Sequence, residues 1–430
     1  MSRTFAALAE RNYRWFLTGQ IVTNVGTWMQ RVAQDWLVLD LSGGNAVTLG
    51  IVTALQFLPF LVVAPFAGVL ADRVPRRVVM LIAGIMATLA AGSLGLAVMT
   101  GSASVGLVYV LAFVLGVSAA LDNPARQALL GQLVGRELLS NAVGLNSATF
   151  NLSRIIGPAL AGLTIAAVGV GPVFLINALS YVFALGTLVM LRPRTTEGRS
   201  GPLAGRATMR QGLGYLRTRR DLVIVLVLVF FAGTFVFNYQ ITTVMMARLE
   251  FGVGAAAYGV LGSVLSIGSI LGSLLAARRT TPRLRFVLGA GLAAALVTAT
   301  AGLMPTYLSF LFFLPLCGLT LLTFSVSAQS YLQMGSDGRF RGRVMGFYTL
   351  AFFGGTPVGA PILGWVASTF GPRWGLIGGG LLAGVFLVGV AVIAQRRIRA
   401  RAARDQLTDT TLEIGSSTVV DEGFETARVR

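Results

Sequence analysis

The sequence predicts an all-α integral membrane protein with twelve transmembrane helices in two pseudo-symmetric six-helix bundles. Three observations support this prediction. The 430 residues are 55% hydrophobic and only 12% charged, and the mean hydropathy of +0.77 is well above that of a soluble domain. Apolar stretches of roughly 20 residues, long enough to cross a bilayer, recur along the chain. The loops between them alternate between arginine-rich and arginine-poor.

Each predicted span is an apolar run that crosses the hydrocarbon core of roughly 30 Å when it is helical. Loops rich in Arg, Gly or Pro separate the runs, as expected between membrane helices. In chain order the predicted spans are 13–39, 49–70, 78–99, 104–121, 142–168, 172–191, 222–246, 255–277, 286–303, 307–327, 344–369 and 373–394.

The distribution of arginine predicts the orientation of the spans. Thirty of the 34 basic residues, all arginine, lie at the N-terminus, in loops after even-numbered spans or in the tail. Because basic loops stay in the cytoplasm, we expect a multi-pass protein of the cytoplasmic (inner) membrane with both termini cytoplasmic. The net charge of +18 is then a topology signal, assisted by anionic lipid, and not a nucleic-acid-binding surface.

The longest internal loop divides the spans six and six. We predict an N-terminal bundle over 1–191, a cytoplasmic linker over 192–221 and a C-terminal bundle over 222–394. The linker is rich in Gly, Pro and Arg and ends in a predicted interfacial helix near 207–220. The tail, 395–430, begins basic and ends polar and acidic, so we expect it to be cytoplasmic and disordered.

An internal repeat relates the two halves. A shift of 202 residues superimposes four glycines in and after the fifth span on four in and after the eleventh. Two parallel six-helix repeats would place such residues in equivalent positions. The pairs are Gly144 with Gly346, Gly157 with Gly359, Gly162 with Gly364, and Gly169 with Gly371.

The residue types that the chain lacks exclude several chemistries. One cysteine, Cys317, and no histidine exclude an internal disulfide and argue against structural zinc or haem. Without lysine, the chain cannot supply the Walker A lysine that holds nucleotide phosphates. No motif pairs a nucleophile with a base, so an enzyme is the least favoured class. We expect no metal, cofactor, nucleotide or nucleic acid as a partner.

The loop between the second and third spans reads GVLADRVPRR. It resembles the loop motif of the major facilitator superfamily, with Pro75 where many members have glycine. The resemblance implies the major facilitator fold and a cytoplasmic gate, a latch between the halves that breaks and re-forms as access alternates. A merely basic loop is the alternative. The gate positions are Gly68, Asp72, Arg73, Arg76 and Arg77.

The fifth span contains SRIIGPALAG. Gly157 and Pro158 are expected to bend the helix, and Gly162 allows a neighbouring helix to pack closely. The stretch resembles the Gly-Pro motif that the superfamily associates with exporters, which implies export. Without that resemblance, Gly-Pro indicates only a kink.

The segment DNPARQALLGQLVGRELLSNAVGLNS follows the fourth span. It resembles the enterobactin-exporter and macrolide-efflux branch of the superfamily, of the transmembrane secretion effector type. We predict that Asp122 and Arg126, four residues apart at a helix end, pair with each other or with neighbouring loops as part of the gate. Many proton-driven members carry an arginine within the fourth span, and this chain does not. The resemblance therefore does not by itself imply proton coupling.

Polar side chains recur at helical spacing on three predicted spans. On the first span they are spaced 4, 3, 4 and 4 residues apart, so they share one face. A polar face cannot meet hydrocarbon, and we predict that these faces converge on a water-accessible cavity that binds substrate. They comprise Gln20, Asn24, Thr27, Arg31 and Asp35 on the first span, Ser147, Asn151 and Arg154 on the fifth, and Thr234, Asn238 and Thr242 on the seventh.

Asp35 is the only acid well inside a predicted span, and Arg31 lies one turn before it. One interpretation makes them a proton or cation coupling site, in which Asp35 takes a proton when the cavity opens outward and loses it when the cavity opens inward. The other makes them a structural ion pair that orients the span. Arg154 also has two interpretations, attraction of an anionic substrate or a pair with Asp35.

These predictions favour a secondary active exporter that is driven by the proton gradient. We expect a monomer in the lipid bilayer that rocks two bundles around a midplane site. Its cargo would be a small amphipathic compound, a drug or a siderophore-like metabolite. Uptake or lysophospholipid flipping on the same scaffold is one alternative, and a non-transporting membrane scaffold or sensor is an alternative of another class.

Overall fold

The computed structural model describes residues 3–392 except 136, 192–208 and 280–281, and describes only the backbone at 3–4, 64–73 and 209–210. The described chain is built from helices and short connections. A 3₁₀ helix, Arg3–Ala9, comes first, and a π-helical turn, Met246–Glu250, extends α9. The α-helices are α1 Arg11–Leu41, α2 Ala46–Arg73, α3 Arg76–Met99, α4 Val105–Leu133, α5 Leu139–Val168, α6 Gly171–Met190, α7 Met209–Thr218, α8 Arg220–Phe235, α9 Tyr239–Met245, α10 Ala255–Ala277, α11 Leu284–Ala301, α12 Tyr307–Gly335, α13 Arg341–Phe370 and α14 Pro372–Val392.

Eleven helical segments of the described chain are long and apolar enough to cross a membrane, with α8, α9 and the π turn counted as one segment. The long helix α1 is not among them. Its 31 residues extend about 46 Å at 1.5 Å per residue, but its polar side chains lower its hydropathy. It packs against α5 and α6, so protein lies beside it where lipid would be unfavourable. The predicted all-α membrane fold is confirmed, and α1 is its polar helix.

The helices pack in two equivalent sets. In the first half, α1 packs against α5 and α6, α2 against α4, and α3 against α4 and α6. In the second half, α8 packs against α13, and α12 packs against α10 and α11. Two seams join the halves, α2 with α13 and α5 with α10. When the first six spans are matched with the last six, α2 corresponds to α10 and α5 corresponds to α13. Each seam is then equivalent to the other, which is the pseudo-symmetry that the sequence predicts.

Glycines related by the 202-residue shift occupy equivalent contacts within each half. A Cβ at Gly157 would meet Trp28 of α1, and a Cβ at Gly359 would meet the backbone of Thr234 in α8. The fifth and eleventh spans therefore approach the first and seventh closely at matched points, because no side chain intervenes.

A second pair of glycines occupies the two seams. A Cβ at Gly162 would meet the backbone of Ala255 in α10, and a Cβ at Gly364 would meet the backbone of Ala46 in α2. Each glycine thus lets a helix of one half approach a helix of the other at backbone distance. Both seams therefore depend on a glycine at the point of closest helix contact.

The remaining glycine pairs also match. Gly169 and Gly371 follow α5 and α13 with φ of 84° and 101°, a region that favours a residue without a Cβ. Gly144 and Gly346 both have open space where a Cβ would stand. The repeat predicted from the glycine spacing is therefore present in the structure.

Two helices run further than the sequence predicts, while most other boundaries agree closely. The fourth span is predicted to end at residue 121 and the tenth at 327, but α4 continues to Leu133 and α12 to Gly335. In the extension of α4, Leu129 is buried in a cluster that contains Met80 of α3. Packing against protein therefore continues the helix past the membrane-length apolar run and through Pro124. Hydropathy alone does not report this packing.

The seventh span is broken, whereas the sequence predicts one helix over 222–246. The first part, α8, ends at Phe235, and α9 begins at Tyr239. The side-chain amide of Asn238 donates a hydrogen bond to the Thr234 carbonyl oxygen at 2.7 Å, which satisfies an acceptor that the helix end leaves free. A break in a membrane helix is tolerated where the irregular backbone is buried in protein or lines a water-filled cavity, and such breaks commonly mark transporter binding sites.

The interfacial helix predicted near 207–220 is α7, Met209–Thr218. The Tyr215 ring stacks on Phe340 with 4.6 Å between centroids, and its hydroxyl accepts a hydrogen bond from the Asp337 backbone N–H at 3.1 Å. The helix therefore docks on the segment before α13. The predicted linker before residue 209 and the tail, 395–430, lie outside the described residues, and the division into bundles, linker and tail stays a prediction.

Replacing Gly157 with leucine is predicted to destabilise the fold, because the new side chain would meet Trp28. Overpacking of this kind costs about 1–3 kcal/mol, so the thermal unfolding midpoint of the purified protein in detergent should fall. Gly144→Leu is the matched control in the same helix, since no heavy atom lies within 4 Å of its Cβ position. Equal midpoints for the two variants would contradict the proposed role of close approach.

Candidate functional site

A cavity of about 580 Å³ lies between the two halves, within the size range of small-molecule sites. Residues of α1 to α6 line one side, and residues of α9, α10, α12 and α13 line the other. We call the end of the molecule with the arginine-rich loops the basic end, and the other the opposite end. The lining extends from Gln20 and Arg126 toward the basic end to Gln34 and Gln240 toward the opposite end.

The polar face of α1 looks into this cavity. Four of its five predicted residues line it, namely Gln20, Asn24, Thr27 and Arg31. The fifth, Asp35, is only 4% exposed and lies behind the cavity wall. The predicted ion pair between Arg31 and Asp35 is absent from the ion pairs of the described residues.

The polar faces of α5 and of the seventh span reach the cavity only in part. Arg154 and Asn238 line it. Asn151 instead donates a hydrogen bond to the Ser147 carbonyl oxygen one turn earlier, at 2.9 Å. Thr242 is buried, and its hydroxyl donates to the Asn238 carbonyl oxygen at 3.4 Å. The cavity lining does not include Ser147, Asn151, Thr234 or Thr242, which corrects the prediction for these four residues.

Two arginines approach one tryptophan ring in the cavity wall. The guanidinium carbon of Arg31 lies 4.7 Å from the Trp28 centroid and that of Arg154 lies 5.3 Å from it, both within cation–π range. Arg31 also lies 5.9 Å from the Phe57 centroid. Over the described residues neither arginine forms an ion pair. The interpretation in which Arg154 pairs with Asp35 is therefore not realised.

Three side chains of the lining carry buried polar atoms that lack a hydrogen-bond partner among the described residues. These atoms are both amide atoms of Gln34, Nε of Arg154 and Oδ1 of Asn238. Buried polar groups in proteins are nearly always hydrogen-bonded. The cavity wall therefore contains polar groups whose hydrogen-bonding capacity is not used among the described residues.

Asp35 joins the two halves just beyond the cavity. Its Oδ2 accepts hydrogen bonds from Nε2 of Gln240 and from the hydroxyl of Tyr258, both at 2.9 Å. Trp36, the next residue of α1, stacks on the Tyr258 ring with 6.3 Å between centroids. A carboxylate of the first half is thus held by one donor from α9 and one from α10.

A second contact between the halves lies nearer the opposite end. Arg248 forms an ion pair with Asp40, donates to the Trp36 carbonyl oxygen at 3.2 Å and lies 4.7 Å from the Trp36 centroid. Sequence analysis assigned no role to this pair, although Arg248 is one of two arginines in loops after odd-numbered spans. We name as the seal the residues Asp35, Asp40, Gln240, Arg248 and Tyr258.

Asp122 and Arg126 form the predicted pair, at 3.3 Å. They lie inside α4 and not at a helix end, because α4 continues past them. Nη1 of Arg126 also donates to Oε1 of Gln20 at 2.8 Å. The pair thus braces α4 against α1 within the first half and lines the cavity.

The other predicted gate residues are described only in part. Arg76 donates to the Ala128 carbonyl oxygen at 3.1 Å, and Arg77 donates to that of Val189. Both contacts lie within the first half, so the latch between the halves stays a prediction. For Gly68, Asp72 and Arg73 the structure describes only the backbone.

The Gly-Pro motif places α5 in the cavity wall. Pro158 lines the cavity, and its carbonyl oxygen faces Gly259 of α10. Together with Gly157 and Gly162, it lets α5 pack closely on α1 and α10. The contribution of the motif in this structure is therefore close packing at a seam, and its link with export stays a prediction.

Comparisons with known proteins support a transporter. The sequence profile of a family described as transmembrane secretion effector, of the major facilitator type, matches residues 2–423. The staphyloferrin A transporter of Staphylococcus aureus is 25% identical over 61% of this chain and 66% of its own. The enterobactin exporter EntS of Salmonella paratyphi A is 27% identical over 71% of this chain and 73% of its own. Macrolide efflux protein A of Streptococcus pyogenes is 26% identical over 47% of this chain and 51% of its own.

Solved structures share the fold. A point mutant of the nucleoside transporter NupG superimposes with a TM-score of 0.72 at 10% identity, over 88% of this chain and 98% of that one. A bacterial homologue of the lysosomal transporter Spinster, in an inward-facing and unoccupied conformation, gives 0.69 at 16% identity, over 89% and 96%. At these identities the likeness concerns the fold alone.

Removing the Arg248 guanidinium is predicted to loosen the seal. Hydrogen bonds to charged groups contribute about 1.5–3 kcal/mol, so Arg248→Ala should expose the cavity to the opposite end roughly tenfold more often. The measurement is the rate at which an impermeant maleimide added at that end labels Gln34→Cys in a Cys317→Ser background. Arg373→Ala is the control, because Arg373 pairs with Glu250 within the second half at 2.7 Å. Equal labelling rates in the two variants would contradict the seal.

Proposed function

Because the chain belongs to the transmembrane secretion effector family of major facilitator transporters, we propose that it exports small amphipathic compounds in exchange for protons. The basic end faces the cytoplasm, and the protein lies in the cytoplasmic membrane. The relatives support the direction of transport, since two are named an exporter and an efflux protein. The cargo class is a drug or a siderophore-like metabolite.

One observation carries this proposal. A cavity between two pseudo-equivalent halves is closed at the opposite end by contacts from one half to the other. With the basic end in the cytoplasm, closure at the opposite end is what an exporter requires while it loads its cargo. Rocking the halves would break the seal and present the same cavity to the outside.

Asp35 couples the seal to protons in this proposal. Two donors from the second half converge on its Oδ2, and hydrogen bonds to a charged acceptor are roughly twice as strong as neutral ones. The ionised carboxylate therefore holds the seal closed, and its proton leaves while the cavity faces the cytoplasm. When the halves separate outward, Gln240 and Tyr258 withdraw, and the carboxyl takes a proton from outside. One cycle then exchanges cargo for a proton.

Neutralising Asp35 is predicted to uncouple transport. Proteoliposomes that contain the intact protein should accumulate members of a panel of labelled drugs and siderophores when a pH gradient is imposed. Asp35→Asn should lose this accumulation but keep exchange of cargo down its own gradient, because the cavity lining is unchanged. Glu250→Gln is the control, an acid of the same end that pairs within the second half. Gradient-driven accumulation that survives Asp35→Asn would exclude Asp35 as the proton carrier.

A further inference from the structure

We propose that Arg31, Arg154 and the Trp28 ring form a binding site for the carboxylate of an organic anion. The inference rests on the proposed export function and names the cargo class. The cargo is a small compound with an oxyanion head and a flat apolar body. Three features of the cavity support this class of cargo: the charges of its lining, the free guanidinium donors and the neighbouring aromatic rings.

The charge balance of the cavity favours an anion. Of the charged residues in the lining, Asp122 and Arg126 neutralise each other at 3.3 Å. Arg31 and Arg154 remain, and both lie at the same ring. Asp35 is committed to the seal through its hydrogen bonds to the second half. Neither arginine is ion-paired with an acid among the described residues, so the two positive charges repel each other, and an anion held by both relieves that repulsion.

The two arginines also retain free donors. No hydrogen bond among the described residues involves the guanidinium group of Arg31 or Arg154, and Nε of Arg154 is a buried donor without a partner. A guanidinium is a planar fork that matches the two oxygens of a carboxylate. An intramembrane cation without a partner is costly, so a site of this kind is completed by its ligand.

The rings beside the arginines suit an apolar body. Phe57 lies 5.9 Å from the Arg31 guanidinium carbon. Phe353 stacks on Phe60 with 4.9 Å between centroids and on Phe57 with 6.0 Å. Phe57 and Phe60 belong to α2 and Phe353 to α13, so both halves contribute. A flat apolar group held among these rings would place an attached carboxylate beside Arg31.

The test compares three compounds that share one body and differ in charge. They are 1-naphthylacetate, its neutral amide and 2-(1-naphthyl)ethylamine, titrated calorimetrically into the full chain in nanodiscs, with empty nanodiscs subtracted. The carboxylate should bind about tenfold or more tightly than the amide, since a hydrogen bond to a charged group contributes at least that factor. The amine should bind most weakly.

Substitutions of the two arginines test whether these residues cause the preference for the carboxylate. Arg31→Gln and Arg154→Gln should each remove most of the preference for the carboxylate and leave binding of the amide unchanged. Arg31→Lys and Arg154→Lys keep the charge and a similar length, so they should fold and retain part of the preference. Arg373→Gln, whose side chain pairs with Glu250 outside the cavity, should bind all three compounds as the unmodified protein does.

The outcomes separate the cargo class from the export function. Equal binding of the three compounds, or a preference that survives both glutamine variants, would overturn the anion site. Proton-driven transport of cationic drugs would then still support export. Arginine-dependent binding of lysophosphatidate alone would assign the same oxyanion chemistry to a lipid headgroup and overturn the soluble cargo. Selective carboxylate binding without transport in proteoliposomes would support the site and contradict export.

Discussion

The polar face of α1 is the constraint on which the rest of the structure depends. This helix is long enough to cross the membrane but carries arginine, glutamine and asparagine side chains along one face. Hydrocarbon cannot satisfy these groups, so the face must border protein or water. The fold meets this requirement by wrapping α5 and α6 around α1 and leaving a cavity in front of it. The candidate site is therefore a consequence of how a polar helix is accommodated.

The two seams explain why the cavity lies between the halves and not within one of them. Glycines at matched positions bring α5 against α10 and α13 against α2 at backbone distance. Contact between the halves is thus concentrated along two lines, and the space enclosed by them is lined from both sides. Because glycines form the closest contacts of both seams, the rotation proposed for transport would take place about these seams while the seal at the opposite end opens or closes.

Sequence analysis predicted most of the helices and the direction in which α1 faces, because hydropathy and helical spacing are local properties. The spacing of Gly157 and Gly162 also predicted their repeat partners. It could not predict that Asp35 bonds to Gln240 and Tyr258, since these residues lie more than 200 positions away along the chain. The break at Asn238 was missed for a related reason. Its amide replaces a helical hydrogen bond, and no proline marks the position.

In the proposed mechanism, the cavity binds the cargo and the seal carries the proton. Arg31 of α1 and Arg154 of α5 border the cavity, and Nε of Arg154 has no partner among the described residues. Asp35 lies one turn beyond Arg31 on α1, in contact with the other half. Helix α1 therefore contributes a residue to each of the two proposed functions. The measurement that tests this account most directly is the distance between spin labels at Leu41→Cys and Leu249→Cys, two exposed positions on either side of the seal, recorded in nanodiscs in a Cys317→Ser background. The account predicts a short distance at alkaline pH, a longer population at acid pH, and the longer population at both pH values in Asp35→Asn. A distance distribution that does not change with pH, in protein that still transports, would contradict it.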